Sequence, residues 1–414
     1  MKKIAKIVFI FFALFLAAGA SAKVKLGIDV LEEMQFAPLW NKRVGLLTHP
    51  AGVNNKGVST IDVLMRAKNV NLTALYGPEH GIYGNEKANV PVDHKIDKKT
   101  GLPVYSLYGK YRKPTPEMLK GIDILVIDLQ DIGCRSYTYV SCMIRAMEAC
   151  FENQKQVLVL DRPNPLGGLK IDGPMLDMKF KSYVGMINVP YVHGLTIGEI
   201  AKMAKSTKGW LEITSKQQAN GKLKVIPMKG WARAMRWPAT GLKWVPTSPA
   251  IPDFSAVVGY SMTGLGCQIG PFQHGYGMGY PFRFLTYGKL PASKIKKALL
   301  AKNIAGISFA EYTINTPKGK KNGLYVSVDD WENFKPTQLS FYLMQITCEF
   351  ESKNPFAAAK ANDALLFNKH TGSQAWWNEI SSKGKNAYVG KFIRMWDARN
   401  AEYALWAKKF YLYK

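Results

Sequence analysis

The sequence Ile-Asp-Ile-Leu-Val-Ile-Asp at residues 122–128 is followed by Leu-Gln-Asp-Ile-Gly at residues 129–133. Such a short, apolar and β-branched run is typical of a buried strand. Similar runs occur at 43–47, 72–76 and 156–160, and helical patterns lie between them at 60–67, 115–119 and 139–152. This alternation predicts an α/β fold in which a parallel sheet of Rossmann-like type is covered by helices.

The pattern changes after about residue 180. We predict strands at 183–191 and 223–227, a helix at 196–205, and loops through the Pro-, Gly- and aromatic-rich stretch at 231–284. The last residues have apolar side chains near helical spacing and predict an amphipathic helix that serves packing. A chain of 414 residues suits two domains. We place a Rossmann-like catalytic domain at 23–180 and a smaller C-terminal α/β domain, which completes the cleft, at 181–414.

The first residues have the pattern of a secretory signal peptide. Three lysines precede an apolar run at 7–18, and Ala-Ser-Ala at 20–22 precedes Lys23. The apolar run is too short to span a bilayer comfortably, so we predict a signal peptide at 1–22 that is cleaved after Ala22. We therefore expect a periplasmic or secreted protein without stable membrane insertion after cleavage.

The charge favours an anionic partner. Lys and Arg number 56 against 30 Asp and Glu, and removal of the three leader lysines lowers the net charge from +26 to +23. The basic residues are scattered, and an exported protein meets cell-wall glycans first, so we do not expect a nucleic acid partner. Five cysteines give no disulfide framework and no metal motif is present, so we expect no cofactor and no metal.

Polar residues follow each predicted strand of the first half. In open α/β sheets, ligands bind beyond the carboxyl ends of the strands. The side chains that follow the strands therefore belong to one edge of the sheet. The segments concerned are Thr-His-Pro at 48–50, Gly-Pro-Glu-His-Gly at 77–81, Asp-Leu-Gln-Asp-Ile-Gly at 128–133 and Asp-Arg-Pro-Asn-Pro at 161–165.

Glu79 is the first candidate for a catalytic acid or base. It follows a Gly-Pro turn that ends a strand, and the adjacent His80 and Gly81 suit a loop that closes on a ligand. The alternative is a carboxylate that only stabilises a helix N-terminus. Asp131 is the second candidate, because glycoside cleavage commonly uses two carboxyl groups. Asp131 could equally cap a turn.

We expect further polar residues to contact the substrate. Asn164 is suited to hydrogen-bonding a sugar hydroxyl or amide, whereas Asp161 beside Arg162 also fits a structural pair. The remaining candidates come from the loop after the third strand and from the Gly-rich stretch. They are His80, Arg135, Tyr137, Gln273 and His274.

Five motifs together resemble one family. They are residues 77–81, 100–109 (Thr-Gly-Leu-Pro-Val-Tyr-Ser-Leu-Tyr-Gly), 128–133, 161–165 and 193–199 (His-Gly-Leu-Thr-Ile-Gly-Glu). In this order they are similar to the exo-β-N-acetylmuramidase family of bacterial glycoside hydrolases. The resemblance implies a Rossmann-like domain joined to a smaller α/β domain with the active site between them. It also implies release of N-acetylmuramic acid (MurNAc) from peptidoglycan-derived muropeptides or disaccharides, with Glu79 as the motif glutamate.

The resemblance leaves the mechanism open and has two departures. The 2-acetamido group of MurNAc allows substrate-assisted cleavage in place of an enzyme nucleophile. Ser-Pro-Ala stands at 248–250 where the family pattern has Ser-Pro-Asn, and 269–277 lacks a Glu-Gly-Arg type motif. One alternative is therefore a non-catalytic protein that binds cell-wall glycan. Another is a hydrolase of an ester or amide, although no Gly-x-Ser-x-Gly elbow is present.

Overall fold

The computed structural model of the chain describes residues 23–84, 95–317 and 319–414. The predicted signal peptide lies outside these residues. The main sheet has seven strands in the order β3-β4-β2-β1-β5-β6-β9, all parallel except the antiparallel edge strand β3. Its strands are β1 (Arg43–Thr48), β2 (Asn71–Gly77), β3 (Lys95–Ile96), β4 (Pro103–Ser106), β5 (Ile124–Asp128), β6 (Gln156–Leu160) and β9 (Leu223–Ile226).

The prediction of a parallel sheet is confirmed. The four strands predicted for the first half are β1, β2, β5 and β6, with ends within two residues of the predicted ones. All five residues of β5 are buried, as expected for a central strand covered on both faces. The helical patterns correspond to α2 (Thr60–Arg66), α3 (Pro116–Leu119) and α4 (Tyr139–Glu152).

Helices cover both faces of the sheet because alternate residues of each strand point to opposite sides. Leu46 of β1 packs in a cluster with Ile28 of α1 (Gly27–Glu33) and Val63 of α2. Leu47 instead belongs to the opposite core, together with residues of α4 and α5 (Ile197–Ser206). Helix α4 has 12 of its 14 residues buried. It is therefore an interior element and not a surface helix.

The chain makes a long excursion between β6 and β9. It contains the antiparallel pair β7 (Asp172–Met175) and β8 (Pro190–Val192), then α5 and α6 (Ser215–Asn220). Strand β9 then returns to pair with β6, so the parallel sheet extends past the domain boundary predicted at residue 180.

The strand predicted at 183–191 is wrong. Only its last two residues are extended, as part of β8, and the preceding residues form turns. Ser182 and Gly185 exchange backbone hydrogen bonds of 2.9 and 3.0 Å, which closes a tight turn where a strand was expected. The predicted helix at 196–205 is confirmed as α5, and the predicted strand at 223–227 as β9.

The C-terminal part contains a four-stranded antiparallel sheet in the order β10-β11-β13-β12. The Gly-rich stretch, expected to be mainly loops, also contains a ten-residue helix, α7. The elements are α7 (Phe254–Thr263), β10 (Phe272–Gln273), β11 (Phe284–Tyr287), α8 (Ala292–Leu300), β12 (Ile307–Thr316), β13 (Gly319–Val328), α9 (Gln338–Phe350), α10 (Ala361–Thr371), α11 (Gln374–Lys383) and α12 (Val389–Ala407).

The last helix joins the two halves of the molecule. Helix α12 buries Phe392, Trp396 and Tyr403, so the prediction that it serves packing is confirmed. Its Asn400 side chain donates a 3.0 Å hydrogen bond to the carbonyl of Gly173 in β7. The described residues include no helix whose length and apolar character would let it cross a bilayer. All five cysteines are free thiols.

Candidate active site

The carboxyl edge of the sheet is held by a buried ion pair. Arg162, after β6, donates from Nε to Asp128 Oδ1 at 2.6 Å and from Nη2 to Asp128 Oδ2 at 2.8 Å. Nη2 also donates to the carbonyl of Val53 at 2.7 Å, and Thr60 donates its hydroxyl to Asp128. The pair therefore joins the ends of β5 and β6 to the segment after β1. Strands β2 and β5 flank β1 on opposite sides, which makes this edge a topological switch point.

His49 provides a second connection between these loops. Its Nε2 accepts a 2.9 Å hydrogen bond from the backbone N–H of Gln130, and its ring lies edge-on against Tyr139 at 4.7 Å between centroids. Burial and the nearby Arg162 charge lower the pKa of His49 to about 3. The imidazole is therefore neutral and acts as a structural acceptor.

Glu79 lies half-buried in the loop after β2. The loop is closed by a 2.9 Å hydrogen bond from Gly81 N–H to the Pro78 carbonyl, and His80 has a positive φ of 71°. A left-handed backbone conformation is uncommon for residues other than glycine, and such residues cluster at active and ligand-binding sites. Glu79 Oε2 accepts a 3.0 Å hydrogen bond from the Thr138 hydroxyl, and the Tyr108 hydroxyl also bonds the carboxylate.

Tyrosines surround the Glu79 carboxylate. The rings of Tyr108 and Tyr183 lie 6.3 Å apart, and Tyr139 is buried beside them. Burial and the hydrogen bond to Glu79 raise the pKa of Tyr108 to about 12. Burial also raises the pKa of Tyr139 and of Tyr183. These phenols therefore stay protonated at neutral pH, and the carboxylate faces neutral donors in a partly dehydrated setting.

Sequence reasoning did not select Tyr108, Thr138 or Tyr183 for the site. Tyr108 comes just after β4, so the same rule that selected Glu79 would have found it had this four-residue strand been predicted. Thr138 immediately precedes α4, and only the tertiary structure brings its hydroxyl to Glu79, 59 residues away in sequence. No local pattern reports such a contact.

Asp131 is buried within the loop after β5. Its Oδ2 accepts a 2.7 Å hydrogen bond from Gly133 N–H and lies 3.2 Å from His193 Nε2. His193 Nδ1 accepts from Leu195 N–H at 3.2 Å, so the ring turns its Nε2 toward Asp131. The geometry therefore matches the turn-capping alternative for Asp131 and does not present it as a second catalytic carboxyl group.

Arg135 is buried and bonds to backbone carbonyls. Its Nη1 donates to the carbonyls of Pro174 and Val189 at 2.7 and 2.8 Å, and its Nη2 donates to that of Thr371 at 2.8 Å. The side chain is 3% exposed, and burial lowers the pKa of the guanidinium to about 10. These hydrogen bonds tie the β7–β8 pair to the end of α10. The expected contact of Arg135 with substrate stays a prediction.

Asp161 and Asn164 are also used inside the protein. Asp161 accepts hydrogen bonds from Thr196 Oγ1 at 2.8 Å, Gly198 N–H at 2.7 Å and the Tyr413 hydroxyl at 2.5 Å. Burial raises the pKa of Asp161 to about 7. These hydrogen bonds attach α5 and the C-terminus to the segment after β6. The expected sugar contact of Asp161 stays a prediction.

Asn164 connects the loop after β6 with the segment that precedes α5. Its Nδ2 donates to the Leu195 carbonyl at 3.0 Å, and its Oδ1 accepts from Leu166 N–H at 3.0 Å. A Cβ at Gly133, where φ is +82°, would lie 2.5 Å from Asn164 Oδ1. Position 133 therefore requires glycine for space as well as for its backbone conformation. The expected sugar contact of Asn164 stays a prediction.

The Gly-rich candidates lie on the C-terminal sheet. Gln273 is exposed on β10, and its Oε1 accepts a 2.6 Å hydrogen bond from Lys321 Nζ. His274 is half-buried, stacks on Phe282 at 4.4 Å, and has a pKa lowered by burial. The structure shows no direct contact of either residue with Glu79.

A row of rings nevertheless connects His274 to the group of Glu79, Tyr108, Thr138, Tyr139 and Tyr183, here called the Glu79 cluster. Phe282 contacts Tyr260 at 5.0 Å, Tyr260 contacts Tyr137 at 6.2 Å, and Tyr137 contacts Tyr139 at 4.9 Å between centroids. The Tyr137 hydroxyl donates a 2.7 Å hydrogen bond to Thr247. Tyr137 is thus fixed beneath the divergent Ser-Pro-Ala segment at 248–250, which begins at the next residue.

The described residues contain no group of three or more His, Cys, Asp or Glu side chains that could hold a metal ion.

Two family models match nearly the whole chain. The N-terminal domain of the exo-β-N-acetylmuramidase NamZ family matches residues 44–255, and the C-terminal domain of that family matches residues 258–413. The chain belongs to this family. The resemblance drawn from the five motifs is confirmed, and Glu79, Tyr108, Thr138 and Tyr183 all lie in the N-terminal model.

One curated protein and two solved structures are also similar to this chain. Peptidoglycan β-N-acetylmuramidase NamZ of Bacillus subtilis (strain 168) is 41% identical over 303 residues, which cover 73% of this chain and 70% of the relative. Two crystal structures of DUF1343 family proteins from Bacteroides fragilis NCTC 9343 are similar. The first has a TM-score of 0.84 at 40% sequence identity, and the second has a TM-score of 0.71 at 28% identity. Each match covers 95% of this chain and 99% of the crystallised chain.

The structural role of Arg135 predicts the effect of its removal. Arg135→Met leaves backbone carbonyls buried without their donors, so we expect the free energy of unfolding to fall by about 3 kcal/mol. Urea denaturation followed by tryptophan fluorescence measures this loss. Arg394→Met is the control, because Arg394 is exposed on α12. A loss no larger than that of the control would contradict the role assigned to Arg135.

Proposed function

We propose that the chain is an exo-acting β-N-acetylmuramidase that releases terminal MurNAc from peptidoglycan fragments, with Glu79 as the acid–base group. One observation carries the proposal. A half-buried glutamate at the carboxyl edge of a parallel sheet is held by two hydroxyl donors, Thr138 and Tyr108, in the domain that matches the muramidase family. The membership of the family and the similarity to the Bacillus relative support glycoside hydrolysis.

The retained Glu79 cluster also bears on the non-catalytic alternative. A glycan-binding protein that had lost turnover would have no need of an acid–base carboxyl group. The divergent segment at 248–250 follows Thr247, which accepts a hydrogen bond from the Tyr137 hydroxyl. Binding without catalysis is therefore the less favoured reading.

The surroundings of Glu79 suit transfer of one proton. A general acid is most effective when its side chain is oriented before reaction and water is partly excluded. Thr138 and Tyr108 fix the carboxyl group in one orientation, and the rings of Tyr139 and Tyr183 displace water from its surroundings. In the proposed step, Glu79 protonates the glycosidic oxygen as the bond from that oxygen to MurNAc C1 breaks.

Removal of this proton donor is the first test. Glu79→Gln keeps the shape of the side chain and a hydrogen-bonding oxygen but cannot supply a proton at neutral pH. We expect kcat on a chromogenic β-MurNAc glycoside and on MurNAc-β-1,4-GlcNAc to fall by about 100-fold or more. Glu311→Gln is the matched control, because Glu311 is exposed on β12, and it should retain activity. Full activity of a folded Glu79→Gln variant would refute the role of Glu79.

The second catalytic group is proposed to be the substrate's own acetamido oxygen. Asp131 is 4% exposed and accepts from Gly133 N–H, so it is not positioned as a free nucleophile. In the proposed reaction the acetamido oxygen bonds to C1 while Glu79 protonates the leaving oxygen. Water then attacks C1, returns a proton to Glu79 and breaks the temporary C1–O bond.

This route predicts retained configuration. The first product seen by ¹H NMR should be β-MurNAc, and a MurNAc-derived thiazoline, which imitates the cyclic intermediate, should inhibit competitively. Appearance of the α-anomer first would exclude the route. Retention without thiazoline inhibition would also count against it, because an enzyme nucleophile would then be required.

Export is a separate part of the proposal. It rests on the leader pattern at 1–22 and on a substrate that lies outside the cytoplasmic membrane. N-terminal sequencing of the protein recovered from the producing bacterium should begin at Lys23, in the periplasmic or culture fraction. A protein that retains Met1 in the cytoplasmic fraction would contradict export.

A further inference from the structure

Arg112 places a positive charge beside the Glu79 cluster. Its guanidinium carbon lies 4.7 Å from the ring centroid of Tyr183 and 5.7 Å from that of Tyr108, and the side chain is exposed. Within the described part of the chain, Arg112 forms no ion pair with a carboxylate. The neighbouring Lys113 differs, because its Nζ lies 2.8 Å from Glu152. Of these two adjacent cations, Arg112 is the one available to an anionic ligand.

Tyr108 links Arg112 to the catalytic carboxyl group. Its hydroxyl donates a hydrogen bond to Glu79, while the Arg112 guanidinium lies over its ring. The charge of Arg112 also opposes the rise in the pKa of Tyr108 and of Tyr183 that burial causes. The field of the cation therefore reaches the hydroxyls beside the Glu79 carboxyl group. A sugar whose C1–O bond meets Glu79 would therefore lie beside the tyrosine that Arg112 contacts.

We propose that Arg112 binds the free lactyl carboxylate of the terminal MurNAc and so determines specificity for this acidic sugar. The inference rests on the proposed muramidase function and assigns one residue to the group that distinguishes MurNAc from N-acetylglucosamine. A guanidinium stacked on aromatic rings keeps its N–H groups in one plane, and this fork matches a carboxylate in a bidentate manner. Stacking on Tyr108 and Tyr183 also orders the side chain before binding, which lowers the entropic cost.

The test separates binding from turnover. In the Glu79→Gln variant, isothermal titration calorimetry measures the Kd of MurNAc-β-1,4-GlcNAc and of the same disaccharide with its lactyl carboxyl group converted to an N-methyl amide. The acid should bind about 10- to 100-fold more tightly than the amide, as expected for a hydrogen bond between charged groups. Adding Arg112→Met should weaken binding of the acid by this factor and leave the Kd of the amide nearly unchanged. The preference for the acid over the amide should then disappear.

Two further variants sharpen the measurement. Arg112→Lys keeps the charge but loses the bidentate fork, so part of the preference should remain. Arg394→Met is the matched control, because the Arg394 guanidinium also lies over a tyrosine, 5.5 Å from the Tyr388 ring, but on the exposed side of α12. It should leave both affinities unchanged.

The possible outcomes are distinct. An unchanged preference in the Arg112→Met variant would overturn the assignment, and so would an equal loss for acid and amide, which would indicate a packing role. If the folded Glu79→Gln variant bound neither disaccharide, the proposed function itself would fail, and the assignment of Arg112 with it.

Discussion

The buried ion pair between Asp128 and Arg162 is the interaction on which the carboxyl edge depends. It fastens β5 to the segment after β6 and, through Val53, to the segment after β1. Both side chains are 2% exposed or less, so loss of either partner would leave an uncompensated charge in the interior. Such a pair does more for geometry than for net stability, because desolvation offsets much of its attraction. Here it joins the segments that follow β1, β5 and β6 at the carboxyl edge of the sheet.

The proposed active site is arranged around that fixed edge. Glu79 occupies the end of β2, next to β1, and takes its hydrogen bonds from Thr138 before α4 and from Tyr108 after β4. Neutral phenols supply donors without adding a second negative charge near the carboxylate. Arg112 adds a positive charge at the rim, on rings that also shield Glu79 from water. Proton transfer and recognition of an acidic sugar thus share the same tyrosines.

Most other polar residues at this edge have structural tasks. Arg135, Asp161 and Asn164 each make hydrogen bonds with partners inside the protein. This use follows from the topology, since a sheet edge crowded with loops leaves many backbone groups without strand partners. Side chains at strand ends satisfy those groups. The same position in the fold therefore attracts both catalytic and structural polar residues, and a rule based on strand ends selects both.

The sequence by itself determined the parallel sheet, its principal helices and the place of Glu79, because these depend on local periodicity and on where strands end. Only the tertiary structure decided which hydrogen-bond partners the polar residues at this edge have. Arg135 bonds Thr371, which is 236 residues away, and Asp161 bonds Tyr413, which is 252 residues away. Thr138 and Tyr108 likewise meet Glu79 through packing between elements. Hydrogen-bond partners that come from distant parts of the chain leave no local pattern, so only the folded arrangement of these elements reveals them.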